Sequence, residues 1–243
     1  MIVNIISFLF VITSCVTAGT IDYYPNVEVI EGGISGDAIT TRYWDCCKPS
    51  CGWRGNLNDH TANPVTSCAA DGVTVLDPEI MAACDPGKNG TSYMCNNQQN
   101  YAVNDTFAYG YVAASFTGGV DYSYCCACVL LSFKSGLEGK YMLAQITNAG
   151  SDLHANQFDI AIPGGGVGLH NGCDLQWHSG PDGWGDRVMG IDTREECDTL
   201  LPEPLRSGCY FRFDFMEGIP NPDVSFKQVK CPKELIANTG CNM

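Results

Sequence analysis

The sequence predicts a mainly β domain with a few short helices and long glycine-rich loops. Two observations carry that expectation, recurrent stretches with a period of two and few helix-start signals, and cysteines spanning most of the chain make it one domain. Alternation sends successive side chains to opposite faces of a strand, so a period of two marks a half-buried sheet. It is present in Phe107-Tyr109-Tyr111-Ala113, in CCACVLLSF (125–133), KYMLAQIT (140–147) and QFDIAI (157–162), and in FRFDF (211–215), where Phe211, Phe213 and Phe215 would share a core-facing side. Helices are expected at only two places. Asp77-Pro78-Glu79 reads as a cap with proline in the first turn, and Thr193-Arg194-Glu195-Glu196 reads as a capping box ahead of Cys197 and Leu200.

Residues 1–18, MIVNIISFLFVITSCVTA, are uncharged, apolar for about a dozen positions, and end on Val16-Thr17-Ala18. They read as a secretory signal, too short and interrupted for a membrane span. Cleavage after Ala18 removes Cys15 and leaves 14 of the 15 cysteines. An even number in an exported chain implies seven disulfides. The sequons at Asn89 and Asn104 fit the same extracellular location. Residues 19–39 read as a short leader, and residues 40–243 are expected to form one domain, with no linker, repeat or appended module.

The formal charge of −14 opposes phosphate backbones and anionic lipids, so neither nucleic acid nor membrane is an expected partner. A neutral polysaccharide fits better, and a monomer is expected. Charged residues are only 16% of the chain, which points to a surface of Gly, Asn, Ser and Thr.

TTRYWDCCKPSCGW (40–53) crowds three cysteines and three aromatics around one acid. The cysteines lack paired C-x2-C spacing, and His60, His154, His170 and His178 show no H-x3-H, so disulfides are expected rather than metal, and no cofactor. IPGGGVG (162–168) lacks the lysine of a phosphate loop, and its glycines read as a tight turn after a strand. With no G-x-S-x-G and no spare thiol, acid chemistry remains. Asp45 lies between Tyr43-Trp44 and Cys46-Cys47. Asp159 lies between Phe158 and Ile160, where burial would raise its pKa as a proton donor requires, although the pattern alone favours an ordinary outward place on an alternating strand. Trp53, Trp177 and Trp184 are candidates for stacking on sugar rings, with Trp184 expected to be exposed between its glycines. For Trp44 core packing and binding both stay open.

The stretch Thr40-Thr41-Arg42-Tyr43-Trp44-Asp45 with CCKPSCGW closely resembles the signature of glycoside hydrolase family 45, the secreted endo-β-1,4-glucanases. The similarity continues through AVNDTFAYG, CCACVLLSF, QFDIAIPGGGVG, REECD, GCYFRFDF, FKQVKCPKEL and TGC. The resemblance implies a six-stranded double-psi β-barrel with disulfide-linked loops around an open groove. It implies a β-1,4-glucan substrate and inversion by single displacement, with Asp45 as general base, Asp159 as general acid and Asp152 as a supporting third acid. Thr41, Tyr43, Trp44, Lys48 and Trp53 fall on the groove segment. The implied pairs are Cys46–Cys173, Cys47–Cys84, Cys51–Cys125, Cys68–Cys95, Cys126–Cys241, Cys128–Cys231 and Cys197–Cys209. Alternation along 125–133 would put Cys126 and Cys128 on one face and Cys125 on the other, in keeping with those partners. One departure stands out: members of the family often carry His before the Phe-Asp of the donor strand, and here it is Gln157. The competing expectation is a non-catalytic, expansin-like wall-loosening protein of the same barrel, which would lack the base that Asp45 supplies.

Overall fold

The computed structural model describes residues 27–85 and 87–242. The signal segment and Cys15 therefore lie outside the described residues. Strand β1 (Ser35–Tyr43) begins within the stretch read from sequence as a leader, and Val29 already bridges to Val229. After it come β2 (Ser67–Cys68), β3 (Tyr93–Met94), β4 (Tyr101–Ala102), β5 (Phe107–Ser115), β6 (Cys128–Phe133), β7 (Tyr141–Asn148) and β8 (Gln157–Ala161). The C-terminal part carries α1 (Gly172–Trp177), α2 (Glu196–Thr199), α3 (Arg206–Asp214), β9 (Val224–Val229) and α4 (Lys233–Thr239).

The large sheet runs β4-β5-β7-β6-β9-β1-β8, and β5 also pairs with β8, which closes six of its strands into the barrel expected from the resemblance. Two of the pairings are parallel, β1 with β8 and β5 with β7; the other barrel pairings are antiparallel. Closure removes the exposed edges that an open sheet would present.

Period two sorts the side chains into separate cores. Ala108, Val112 and Ala114 of β5 join Val129 and Leu131, Met142 and Ile146, Phe158 and Ile160, and Phe226 in one buried cluster. Every barrel strand contributes to it, so it is the barrel interior, with Phe158 and Phe226 in edge-to-face contact at 5.1 Å. The other face of β5 (Phe107, Tyr109, Tyr111, Ala113) packs outward under the loops with Trp44, Leu143, Trp184, Leu201 and Leu235. Asp159 shares the outward parity of β8, since its neighbours Phe158 and Ile160 both point inward.

Several sequence expectations need correction. FRFDF is not a strand but the end of α3: Phe211 and Phe215 are four residues apart, their rings stack at 5.0 Å and they close one end of the barrel interior, while half-buried Phe213 packs on the outer cluster. Apolar residues at i, i+2 and i+4 satisfy a helix as well as a strand, and the short Cys197–Cys209 loop favours the helix. Asp77-Pro78-Glu79 makes only a turn, with Asp77 accepting from the Glu79 N–H at 2.8 Å. Only half of the capping box forms: Glu196 accepts from the Thr193 N–H at 2.8 Å, but no side chain caps α2, which has only four residues. Trp184 is buried, not exposed, because its flanking glycines let the backbone come close enough to turn the indole inward. Strand β6 starts at Cys128, and Cys126 is left-handed at φ 70°, so alternation does not govern Cys125 and Cys126. The seven bridges are nevertheless the pairs implied by the resemblance.

The glycine loop after β8 is held by its neighbour at 186–191: Ile191 donates to the Gly164 carbonyl at 2.9 Å, and Val167 donates to the Arg187 carbonyl at 2.8 Å. Gly190 is the tightest point, left-handed at φ 73°, and a Cβ there would sit 1.9 Å from the Gly164 carbonyl oxygen. Gly190→Ala combines a backbone penalty with overpacking and should cost about 2–4 kcal/mol. A denaturant midpoint close to wild type would contradict this packing.

Candidate active site

The end of β1 and the loop after β8 run side by side past the barrel rim. Ile162 donates to the Tyr43 carbonyl, Trp44 to the Gly166 carbonyl and Gly172 to the Asp45 carbonyl, each at 2.8 Å. Gly172 is needed there, because a Cβ would lie 2.7 Å from Cys84 Sγ and 3.0 Å from the Asp45 oxygen. Cys46 then turns the chain in a left-handed conformation, φ 61°, which costs an L-residue energy that its surroundings must supply. The Cys46–Cys173 bridge, with Cα atoms 4.9 Å apart, holds that turn against the start of α1. Cys47–Cys84 fixes the next residue.

These elements wall a cavity of about 350 Å³, within the usual range of ligand clefts, lined among others by Asp45, Asp159, Asp152, Tyr43, Trp53 and His170. Asp45 and Asp159, 114 residues apart in sequence, thus face one space. Asp45 Oδ1 accepts from the Cys47 N–H at 2.9 Å. Its pKa is nevertheless raised to about 6, because burial outweighs the Cys47 bond and the positive field of His170, and Asp152 adds like charge. Asp159 is raised further, to about 7: burial dominates, the Thr41 hydroxyl and more distant Arg42 favour the charged form, and Asp152 and Asp45 oppose it. The buried Oδ1 of Asp159 has no hydrogen-bond partner, an expensive position for a charged oxygen and a suitable one for a proton.

The remaining residues read from sequence divide into two groups. Tyr43 lines the cavity, its hydroxyl accepting from Asn148 Nδ2 at 3.2 Å, and burial pushes its phenol well above the ordinary value. Trp53 lines it too, with Lys48 Nζ 3.2 Å from its ring centroid. Lys48 is buried, donates to the Pro78 and Ile80 carbonyls, and is lowered to about 8 by burial despite nearby Glu79, Asp85 and Asp77. Its ammonium is thus used to anchor the 78–80 segment and support Trp53. Trp44 is 2% exposed and belongs to the core, which resolves its two possible uses in favour of packing. Thr41 sits behind Asp159 in the β1–β8 register rather than on the cavity wall.

The sequence did not single out Ser50, Asn148 or a site position for His170. Asn148 Oδ1 accepts from the Ser50 N–H at 2.8 Å while its amide reaches Tyr43, and Ser50 Oγ accepts from the Ala149 N–H at 2.8 Å. This clasp ties the cysteine-rich segment to the end of β7. Among the described residues no cluster of three or more His, Cys, Asp or Glu is placed to hold a metal ion, and no helix is long and apolar enough to cross a membrane.

The raised carboxyl pKa values have a consequence for stability. The unfolded chain releases these protons near pH 3.8, whereas the folded chain keeps them to about 6 and about 7. The folded state therefore binds more protons in between, and stability from this source is present at low pH and lost as pH rises through that window. Replacing Asp159 by Asn should stabilise the protein on the order of 2 kcal/mol more at about pH 8 than at about pH 4, read from denaturant midpoints. An equal difference at both pH values would contradict the buried, proton-holding carboxyl.

The family model described as glycosyl hydrolase family 45 matches residues 36–242. An endoglucanase of Phaedon cochleariae is 48% identical over 221 residues, covering 90% of this chain and 90% of the relative. An endoglucanase of Cryptopygus antarcticus is 43% identical over 216 residues, covering 88% of this chain and 93% of the relative. The crystal structure of cellulase from that Antarctic springtail superposes with a TM-score of 0.79 at 43% identity, covering 86% of this chain and 98% of that one. With a family match over nearly the whole chain and relatives aligned across most of their length, this protein belongs to glycosyl hydrolase family 45.

Proposed function

We propose that this glycoside hydrolase is a secreted endo-β-1,4-glucanase that cleaves internal bonds with inversion, Asp45 acting as general base and Asp159 as general acid. The observation that carries the reading is the pair of buried carboxyls lining one cavity, one accepting from a backbone N–H and the other with an unpartnered oxygen. An ionised Asp45 can take a proton from water, while a protonated Asp159, whose carboxyl burial favours in that form, can give one to the departing glycosidic oxygen. Microscopic roles follow from environment: Asp45 has a backbone donor and the His170 field, and Asp159 has an unpartnered buried oxygen. Asp152, exposed at the cavity mouth, adds negative field to both and helps keep the donor protonated. Tyr43 and Trp53 offer apolar faces for glucose rings.

An open cleft suits an internal bond of a long chain, and the uncharged β-1,4-glucan is compatible with a strongly acidic protein. Secretion is supported by seven disulfides, which persist in oxidising compartments.

Release of reducing sugar from a soluble β-1,4-glucan is expected, and its absence would favour the non-catalytic, expansin-like reading. Proton NMR of the first product should show an α-configured reducing end; a β-configured one would rule out single displacement. The profile of kcat/KM against pH should be bell-shaped, falling on the acidic side as Asp45 takes up a proton and on the alkaline side as Asp159 loses one, with limbs near about 6 and about 7. Asp159→Asn should lower turnover by roughly 10²–10⁴-fold in a protein that remains folded.

A further inference from the structure

We infer that Gln157 is a positioning residue for the proton donor: its amide, held between the His154 backbone N–H and the Thr41 hydroxyl, fixes that hydroxyl as a donor toward Asp159. The inference rests on the reading of Asp159 as general acid.

In the parallel register of β1 and β8, Thr41 lies opposite Asp159 and Ile39 opposite Gln157. Period two then puts Thr41, Gln157 and Asp159 on one face. Gln157 is 5% exposed and both ends of its amide are engaged. Oε1 accepts from the His154 N–H at 2.8 Å, and this assigns the other end as nitrogen; Nε2 donates to Thr41 Oγ1 at 2.9 Å. A hydroxyl that accepts from an amide keeps its single hydrogen for another partner. The β1–β8 register sets Asp159 directly opposite Thr41, and the hydroxyl favours its charged form.

The direction of the chain of bonds is set at its origin. A backbone N–H can only donate, so Gln157 must accept there and donate at Thr41, which leaves the Thr41 hydrogen free for the carboxyl across the register. No member of this chain titrates in the working range. An imidazole at 157 would instead gain charge and change its donor pattern near its own pKa, adding a second ionisation beside the acid. The charged and titratable groups facing Asp159 are Arg42 and Tyr43 of β1, Asp45 beyond it, and Asp152 in the loop before β8; β5 contributes only Ala113 opposite it. The Gln157–Thr41 pair offsets part of the upward push of burial and of the two acids, which keeps the donor able to release its proton.

The test is the pH dependence of kcat/KM on a soluble β-1,4-gluco-oligosaccharide for Gln157→Met, Thr41→Val, the double variant and Thr41→Ser. Gln157→Met and Thr41→Val should each move the alkaline limb upward by about half a pH unit or more and reduce kcat several-fold, since the carboxylate loses a donor. The double variant should be little worse than Thr41→Val, because both act through one hydroxyl, and Thr41→Ser should keep the wild-type limb. Unmoved limbs in folded Gln157→Met and Thr41→Val, or additive losses in the double variant, would overturn the inference. If Gln157→Met does not fold, the Thr41→Val and Thr41→Ser pair still decides. Asp159→Asn, measured alongside, separates the two levels: wild-type turnover in it removes the donor reading, whereas lost turnover with unmoved limbs elsewhere removes only the role of Gln157.

Discussion

The parallel pairing of β1 with β8 places Thr41 across from Asp159, and backbone bonds continue it beyond the strand ends to Gly166 and Gly172. Everything at the site hangs from that register. A slip by one residue would turn Asp159 into the barrel interior and bring Phe158 or Ile160 to the cavity, so the filled apolar interior fixes the acid as firmly as any local contact. The same register brings Gln157 and Thr41 together and sends Tyr43 and Asp45 past the rim onto the glycine loop.

The cavity then tunes both acids by the same physical effect. Burial raises each, offset at Asp45 by a backbone N–H and the field of His170 and at Asp159 by a hydroxyl. Such tuning requires fixed distances, and surface ion pairs such as Lys134–Asp37 and Lys230–Glu28 are too exposed to hold the loops in place. The bridges hold them: Cys46–Cys173 and Cys47–Cys84 lie beside Asp45, and Cys51–Cys125 pins the segment that carries Trp53. A high-energy left-handed turn at Cys46 persists because the bridge and the Gly172 bond leave the chain no alternative.

The barrel strands were legible because closed sheets impose a period of two, and Phe107, Met142 and Phe158 obey it. The helix at FRFDF was not, since three aromatics spaced by two also put Phe211 over Phe215 on a helix. The two acids were singled out by their context and by the family signature, but their shared cavity was not derivable, because 114 residues separate them and only tertiary structure sets their approach. Trp44 stayed open and Trp184 was placed outside for the same reason: an aromatic beside glycines or cysteines can face either way until the packing is known. Lys48 lines the cavity as its motif implies, but its ammonium is engaged by two carbonyls and a ring, which the sequence did not show. Gln157 was visible as a departure from the family pattern, yet its partners, a backbone N–H and a threonine 116 residues away, were not.

The central claim is that the frame holds Asp45 in place relative to Asp159, and that the Cys46–Cys173 bridge is its nearest fastener. It is tested most directly by comparing turnover per folded molecule in Cys46→Ala/Cys173→Ala and in Cys197→Ala/Cys209→Ala, a bridge that closes only a 12-residue separation remote from the acids. With the folded fraction measured in the same samples, the first variant should lose kcat far beyond its loss of stability, and the second should lose stability with kcat nearly kept. Equal loss of activity per unit of stability lost in the two variants would contradict the account.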